Sequence, residues 1–303
     1  MHFAAEDFIH PEDRAAREQL EAIPGFGRVV KAAMRPTLEQ LLHGLNMAQK
    51  LRLGPQQLPE IYGMLPPICE QLGIQEPEFY LEMSPIPNAY AIGDTRTAVT
   101  VTSAMLELVE PDELRAVIAH ECGHIVCRHM LYHTMAQLMR WGGDRLGLLG
   151  VFSRPIEIGL NYWVRRSEFS ADRASAVVMG GSEPVIELMI RAAAGPKALT
   201  KSVNVELYLA QAEAYDEMTR SSGWDKLLQN AAIMDIDHPF NAVRAREIHR
   251  WTQTDQYRRL MRASQTPSGG AAGGIACLHC GKPVQVGWRF CQACGAALTP
   301  TAG

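Results

Sequence analysis

The chain has 303 residues, a formal net charge of −4, 47% hydrophobic and 20% charged residues. That balance is ordinary for a globular protein of one large domain or two unequal ones. It offers no electrostatic case for nucleic acid, whose partners carry basic faces. A membrane-spanning helix needs roughly 20 mostly apolar residues, and the best stretch, Leu146 to Phe152, is short and bracketed by Arg145, Arg154 and Glu157.

Met1 to Phe8 lack the basic and apolar regions of a secretory signal, so a cytoplasmic location is expected. Residues 11–72 carry helical periodicity broken by Pro24-Gly25, Pro36, Pro55, Pro59 and Pro66-Pro67, which predicts several short helices. Between Glu78 and Ser103 the pattern changes. Phe79–Met83, Ala89–Ile92 and Ala98–Thr102 read as strands, the last two joined through Gly93-Asp94. The next helix opens near Pro111-Asp112-Glu113, where proline suits the first helical position and acids favour the positive terminus. It is expected to run through Met130 or beyond, and helical character continues through most of 156–262. Ser264 to Ala276 includes Ser-Gly-Gly-Ala-Ala-Gly-Gly, a flexible tether. The expected organisation is a domain over 1–263 (N-terminal helices 1–75, core 76–262), a linker over 264–276 and a miniature unit over 277–296.

The long predicted helix contains His120-Glu121-Cys122-Gly123-His124. Histidines four apart project from one helix face, close enough to share a metal ion, and the intervening glutamate can deprotonate a water on it. The bland alternative is a helix with two ordinary polar histidines. A catalytic zinc usually takes three protein ligands and keeps one position for water. Glu168 is the best third donor: Ser170, Ala171, Ala174 and Ser175 give its segment a face of small residues that lets another helix approach. Asp172, one turn on, is placed to accept the outer N–H of a ligating histidine. The competing reading makes both acids surface partners of Arg165 or Arg173. On one continuous helix His129 falls opposite His120 and His133 lies well past the metal-facing turn, so neither is expected in the site.

With these residues the chain resembles the glutamate-zincin peptidases, and more narrowly the HtpX-like group that includes the CAAX prenyl protease. His120-Glu121-x-x-His124 followed by Glu168-x-x-x-Asp172 carries the resemblance over roughly residues 60–250. Asn88-Ala89-Tyr90-Ala91-x-Gly93 is similar to the strand that precedes the zinc helix in that group, and His238-Pro239 with Arg244 to its late segment. The resemblance implies an α+β, mostly helical fold with a small antiparallel sheet beside the zinc helix. It implies Zn²⁺ held by His120, His124 and Glu168, with Glu121 as general base. It offers His238 and Arg244 as oxyanion donors, His238 alternatively as a removable cap on the metal or a structural residue. Asn88, Ala89 and Tyr90 are candidates to pair with an extended substrate if their strand is a sheet edge; an ordinary core strand with Tyr90 inward is the alternative.

Cys277-x-x-Cys280-Gly281 and Cys291-x-x-Cys294-Gly295 supply a tetrahedral Cys₄ set that reads as a structural zinc ribbon. So short a unit folds largely through its metal. Cys69, Cys122 and Cys127 read as small buried hydrophobes. The function expected is zinc endopeptidase activity on peptide or unfolded protein, in quality control or processing. The alternative is a non-catalytic or latent chaperone or adaptor, closed by its N-terminal helices or by His238, with the ribbon docking a protein partner. Peripheral membrane contact through the Trp141–Trp163 region competes with a plain core helix there.

Overall fold

A computed structural model describes residues 2–24, 26, 36–142, 154–221 and 240–265, with 275–276, 280 and 283–284 towards the C-terminus. The chain divides into two units, Met1–Ser264 and Gln265–Gly303.

In the first unit, helices α1 (Pro11–Glu21) and α2 (Pro36–Gln49) lead to a short strand β1 (Leu51–Arg52), helix α3 (Leu65–Leu72) and strands β2 (Glu78–Glu82), β3 (Ala89–Ile92) and β4 (Ala98–Thr102). Helices α4 (Pro111–Val126), α5 (Met130–Gly142), α6 (Arg154–Met179), α7 (Glu183–Ala194), α8 (Val205–Ser221), α9 (Asn241–Thr252) and α10 (Asp255–Gln265) follow. The fold is α+β and mostly helical.

The sheet has the order β1-β2-β4-β3 and is mixed, where an antiparallel sheet was expected. β3 and β4 form the anticipated antiparallel hairpin, but β4 runs parallel to β2, with Tyr80 opposite Thr100. The link from Met83 to Asn88, stiffened by Pro85 and Pro87, carries β3 one strand beyond β2, and β4 returns into the gap. Every residue of β4 is buried, as befits a central strand covered on both faces. β3 is the outer strand on that side.

Helix α4 is fixed at its start by a capping box. Pro111 takes the first position, Glu110 N donates to Glu113 Oε2 at 2.8 Å, and Asp112 and Glu113 sit against the positive helix end. All but a few of its residues are buried, because the sheet, α3, α6 and α7 pack around it. Its partner α6 presents Ser167, Ser170, Ala171, Ala174 and Ser175, all fully buried. Ser175 Oγ donates to the Ala116 carbonyl at 2.8 Å, a helix-to-helix hydrogen bond that only close backbones permit.

Helix α4 also ends sooner than its periodicity suggests. Arg128 adopts a left-handed conformation (φ 57°), His129 N donates to His124 O at 2.9 Å and Arg128 N to Ile125 O at 3.0 Å. These are the paired hydrogen bonds of a Schellman turn, with arginine where glycine is usual. The chain reverses here, and α5 starts afresh at Met130.

Trp163 is fully buried and its Nε1 donates to Asp13, so it belongs to the core beneath α1 rather than to a membrane-facing surface. Among the described residues no helix is long and apolar enough to cross a membrane.

In the second unit, strands β5 (Ile275–Ala276) and β6 (Pro283–Val284) pair antiparallel and bracket the segment containing Cys277 and Cys280. Cys280 is exposed; Cys277, Cys291 and Cys294 lie outside the described residues. Helix α10 runs through Gln265, into the segment read as a tether, and Ile275–Ala276 at its far end are paired.

Candidate metal centre

Three donor groups converge from two helices. His120 Nε2 lies 3.3 Å from His124 Nε2, Glu168 Oε2 lies 3.4 Å from His120 Nε2, and Glu168 Oε1 lies 3.4 Å from His124 Nε2. Donors about 2.0–2.1 Å from a tetrahedral zinc ion stand roughly 3.4 Å apart, so this triangle has the dimensions of three zinc ligands. The histidines meet because a four-residue step on α4 stacks them on one face. Glu168 reaches them because Gly123, between them, lets α6 lie against α4.

The charge around the triangle points the same way. Arg244 pairs with buried Glu168 and Asp172, and Glu121 is buried beside the same cavity, so carboxylates outnumber the guanidinium. A divalent ion offsets that excess, and two imidazoles with a carboxylate are a donor set suited to zinc.

Asp172 occupies the place anticipated for it: its Oδ1 lies 3.0 Å from His120 Nδ1. Burial alone would raise its pKa, but the Arg244 guanidinium outweighs that and holds the carboxyl below its usual range. Burial disfavours charge on both ligand rings. At His120 the carboxylates of Asp172 and Glu168 win and push the ring up to about 10, whereas His124 is driven down to about 3. Only one positive charge fits on the pair when no ion is between them.

Arg244 reaches the centre from α9, where it grips Asp172 through Nε (2.8 Å) and Nη2 (2.6 Å) and Glu168 through Nη1 (3.1 Å). This is the geometry of a carboxylate clamp rather than of a donor reserved for a substrate oxyanion. His238 lies outside the described residues.

Beside the donors opens a cavity of about 70 Å³ whose polar lining is His120, Glu121, Arg244 and Asn241. Ala89, Met105, Val117 and Met189 supply its apolar lining. Ala89 is thereby next to the metal centre, on outer strand β3. Tyr90 points to the other side: its hydroxyl donates to Glu82 at 2.5 Å and accepts from Lys50 Nζ at 2.7 Å.

Two histidines excluded by the continuous-helix expectation pack against His124. The Schellman turn swings His129 back so that its Nδ1 lies 3.0 Å from His124 Nδ1, and the His133 ring packs 4.5 Å from that of His124. The missing signal was the helix end, since Cys127-Arg128-His129 contains no glycine to mark it.

The sequence matches Peptidase family M48 over residues 55–252 and a zinc-ribbon domain over 277–298. The chain belongs to peptidase family M48. It is similar to the plastoglobule-localized metallopeptidase 48, chloroplastic, of Arabidopsis thaliana, at 32% identity over 268 residues, 87% of this chain and 77% of that protein. It also resembles a protease HtpX homolog of Sulfurihydrogenibium sp. (strain YO3AOP1), 37% identical over 83 residues, which are 27% of this chain and 28% of the relative. Protease HtpX homolog 2 of Methanosarcina mazei is 27% identical over 151 residues, 41% of this chain and 51% of its own length. The protein is thus an HtpX-like zinc metalloprotease, a hydrolase of peptide or protein substrates, with a zinc-ribbon domain.

Proposed function

We propose that the protein is an endopeptidase in which His120, His124 and Glu168 hold the catalytic zinc and Glu121 is the general base. The observation that carries this reading is the triangle of 3.3–3.4 Å between two imidazole nitrogens and one carboxylate, buried and negatively charged overall. Bound there, zinc supplies a Lewis acid that polarises the scissile carbonyl and brings the pKa of water towards about 7. Glu121, one position from His120 and buried at the cavity wall, takes a proton from the attacking water and delivers it to the leaving amine. Asp172 accepts the His120 Nδ1–H, which leaves the Nε2 lone pair facing the other donors. Arg244 holds both carboxylates in register.

An extended peptide adds to outer strand β3 at Asn88, Ala89 and Tyr90, which brings its backbone past Glu121. The apolar wall of Met105, Val117 and Met189 favours an uncharged apolar side chain beside the scissile bond. His238 is retained as an oxyanion donor or gate on the strength of its sequence context. Cys277, Cys280, Cys291 and Cys294 hold a second, structural zinc in a unit that docks a protein partner. Such an enzyme suits quality control or processing of unfolded chains in the cytoplasm.

Purified protein digesting casein, with that activity abolished by a chelator and restored by zinc, is the expected result. Glu121→Gln should bind as much zinc as the parent and lose at least ~10²–10⁴-fold in turnover. Chelator-resistant digestion, or full activity in Glu121→Gln, overturns the reading.

A further inference from the structure

The two histidines of the centre are oriented by different means. The outer nitrogen of His120 meets Asp172 directly. The outer nitrogen of His124 meets another imidazole: its Nδ1 lies 3.0 Å from His129 Nδ1, and His129 Nε2 lies 2.9 Å from Asp13 Oδ2. All three side chains are buried, and Asp13 and His129 have no solvent exposure at all.

We propose that His129 and Asp13 are positioning residues that set the tautomer and ring orientation of His124 for metal binding, through the hydrogen-bonded chain Asp13–His129–His124. This rests on the reading of His120, His124 and Glu168 as metal ligands.

The direction of the chain follows from its far end. Asp13 accepts from Trp163 Nε1 at 2.9 Å and from Ser170 Oγ at 2.6 Å. A carboxylate is acceptor-only, so its contact with His129 is donated by Nε2–H. A neutral His129 so protonated has a lone pair on Nδ1, which accepts His124 Nδ1–H. His124 is left with its Nε2 lone pair bare, and that atom is the one facing His120 and Glu168. Reversing any link would put a proton on the ligating nitrogen. A carboxylate paired with a ligand histidine fixes its tautomer and ring plane. Here an imidazole extends the carboxylate's reach by one ring.

The backbone builds the contact. In a Schellman turn the residue after the left-handed position comes to lie against the residue three from the helix end, a pair that usually makes an apolar contact. These positions are His129 and His124, and the contact is polar. The ring of His133, 4.5 Å from His124 and tied by Nε2 to Ser167 Oγ at 2.7 Å, closes the other side. His124, His129 and His133 also bring ring nitrogens within 4.8 Å of one another, a spacing that three ligands of a cation share. The hydrogen-bond lengths along His124, His129 and Asp13 favour the chain.

The test is zinc affinity of the full-length protein by competition with a chromophoric chelator, following the step that His120→Ala abolishes. His129→Leu and Asp13→Asn should weaken that step 10–100-fold. His129→Gln, whose amide oxygen and NH₂ replace the acceptor and donor, should recover most of the loss. A merely structural histidine would lower the melting temperature of the zinc-free chain and leave the affinity of the folded protein unchanged, and that result overturns the proposal. Should His129→Leu not fold, ¹⁵N-histidine NMR of the parent reads the tautomers directly: His124 protonated on Nδ1 and His129 on Nε2 support the chain, and the reverse overturns it. A second zinc bound by the histidine cluster also overturns it. Absence of any His120-dependent step removes the metal reading itself, whereas an intact step indifferent to His129 removes only this one.

Discussion

A Cβ added to Gly123 would stand 2.8 Å from Ala174 Cβ and 2.9 Å from Ala171 Cα. The glycine between the two histidines is therefore a point of close approach between α4 and α6. Overpacking a tight core contact typically costs 1–3 kcal/mol. Here the strain falls one residue from His124 and three from Glu168 (171 − 168). Gly123→Ala should lower the melting temperature and weaken zinc binding together, measured by calorimetry and chelator competition. Unchanged zinc affinity would mean that α6 does not have to approach this closely.

Arg244 offsets two buried carboxylates. Removing one partner of a buried ion pair costs about 3–5 kcal/mol, since the charge left behind stays desolvated. Arg244→Lys keeps a charge but gives up the fork that holds Asp172 by two nitrogens. It should lose most zinc affinity despite conserving charge, and Arg244→Met more still. Equal affinity for parent and lysine variant would show that charge suffices and the fork does not matter.

Arg128 holds a left-handed backbone conformation that costs most residues about 1–2 kcal/mol. Arg128→Gly relieves that strain and should preserve zinc binding. Arg128→Ile adds a β-branch where φ is positive and should disturb the His124–His129 contact, seen as weaker zinc binding and a lower melting temperature. If the isoleucine variant matched the glycine variant in both, the turn would have no hold on the site.

His10 caps the start of α1 by accepting from Glu12 N through Nδ1 at 3.1 Å, and its own N–H donates to Ser170 Oγ. Burial, with the charges of Arg173 and Arg166, brings its pKa down to about 4 against an ordinary 6.5. The unfolded chain therefore binds the extra proton between these values. Stability from this group is complete above about pH 6.5 and is lost as pH falls towards 4, roughly 2 kcal/mol of it by pH 5. His10→Asn keeps a good cap without the titration. In urea unfolding of the zinc-free chain at pH 7.5 and pH 5, the parent should lose about that much more than the variant. Equal losses would exclude His10 as the source.

The sequence was most informative where spacing alone fixes geometry. The pairs His120–His124 and Glu168–Asp172 each follow from helical periodicity, since a four-residue step stacks side chains; that Glu168 meets the histidines was suggested by the small-residue face of its segment and by the family resemblance. The β3–β4 hairpin was legible from two alternating runs around Gly93-Asp94. The parallel pairing of β2 with β4 was not, because periodicity tells which residues form strands and not which strands are neighbours. His129 was misplaced because its position depends on one backbone angle at Arg128, which nothing in that residue's chemistry announces. Asp13 stands 116 positions from His129, a distance over which no local pattern speaks. The cavity wall gathers Ala89, Met105, Val117 and Met189 from four separate elements, each an unremarked apolar residue in its own stretch.

Many peptidases are kept silent by a leading segment whose excision switches them on. Helix α1 bears on that route here, since Asp13 is enclosed by Trp163, Ser170 and His129. If Asp13 orients His124 as inferred above, a cut after this helix would extinguish activity where elsewhere such trimming awakens it.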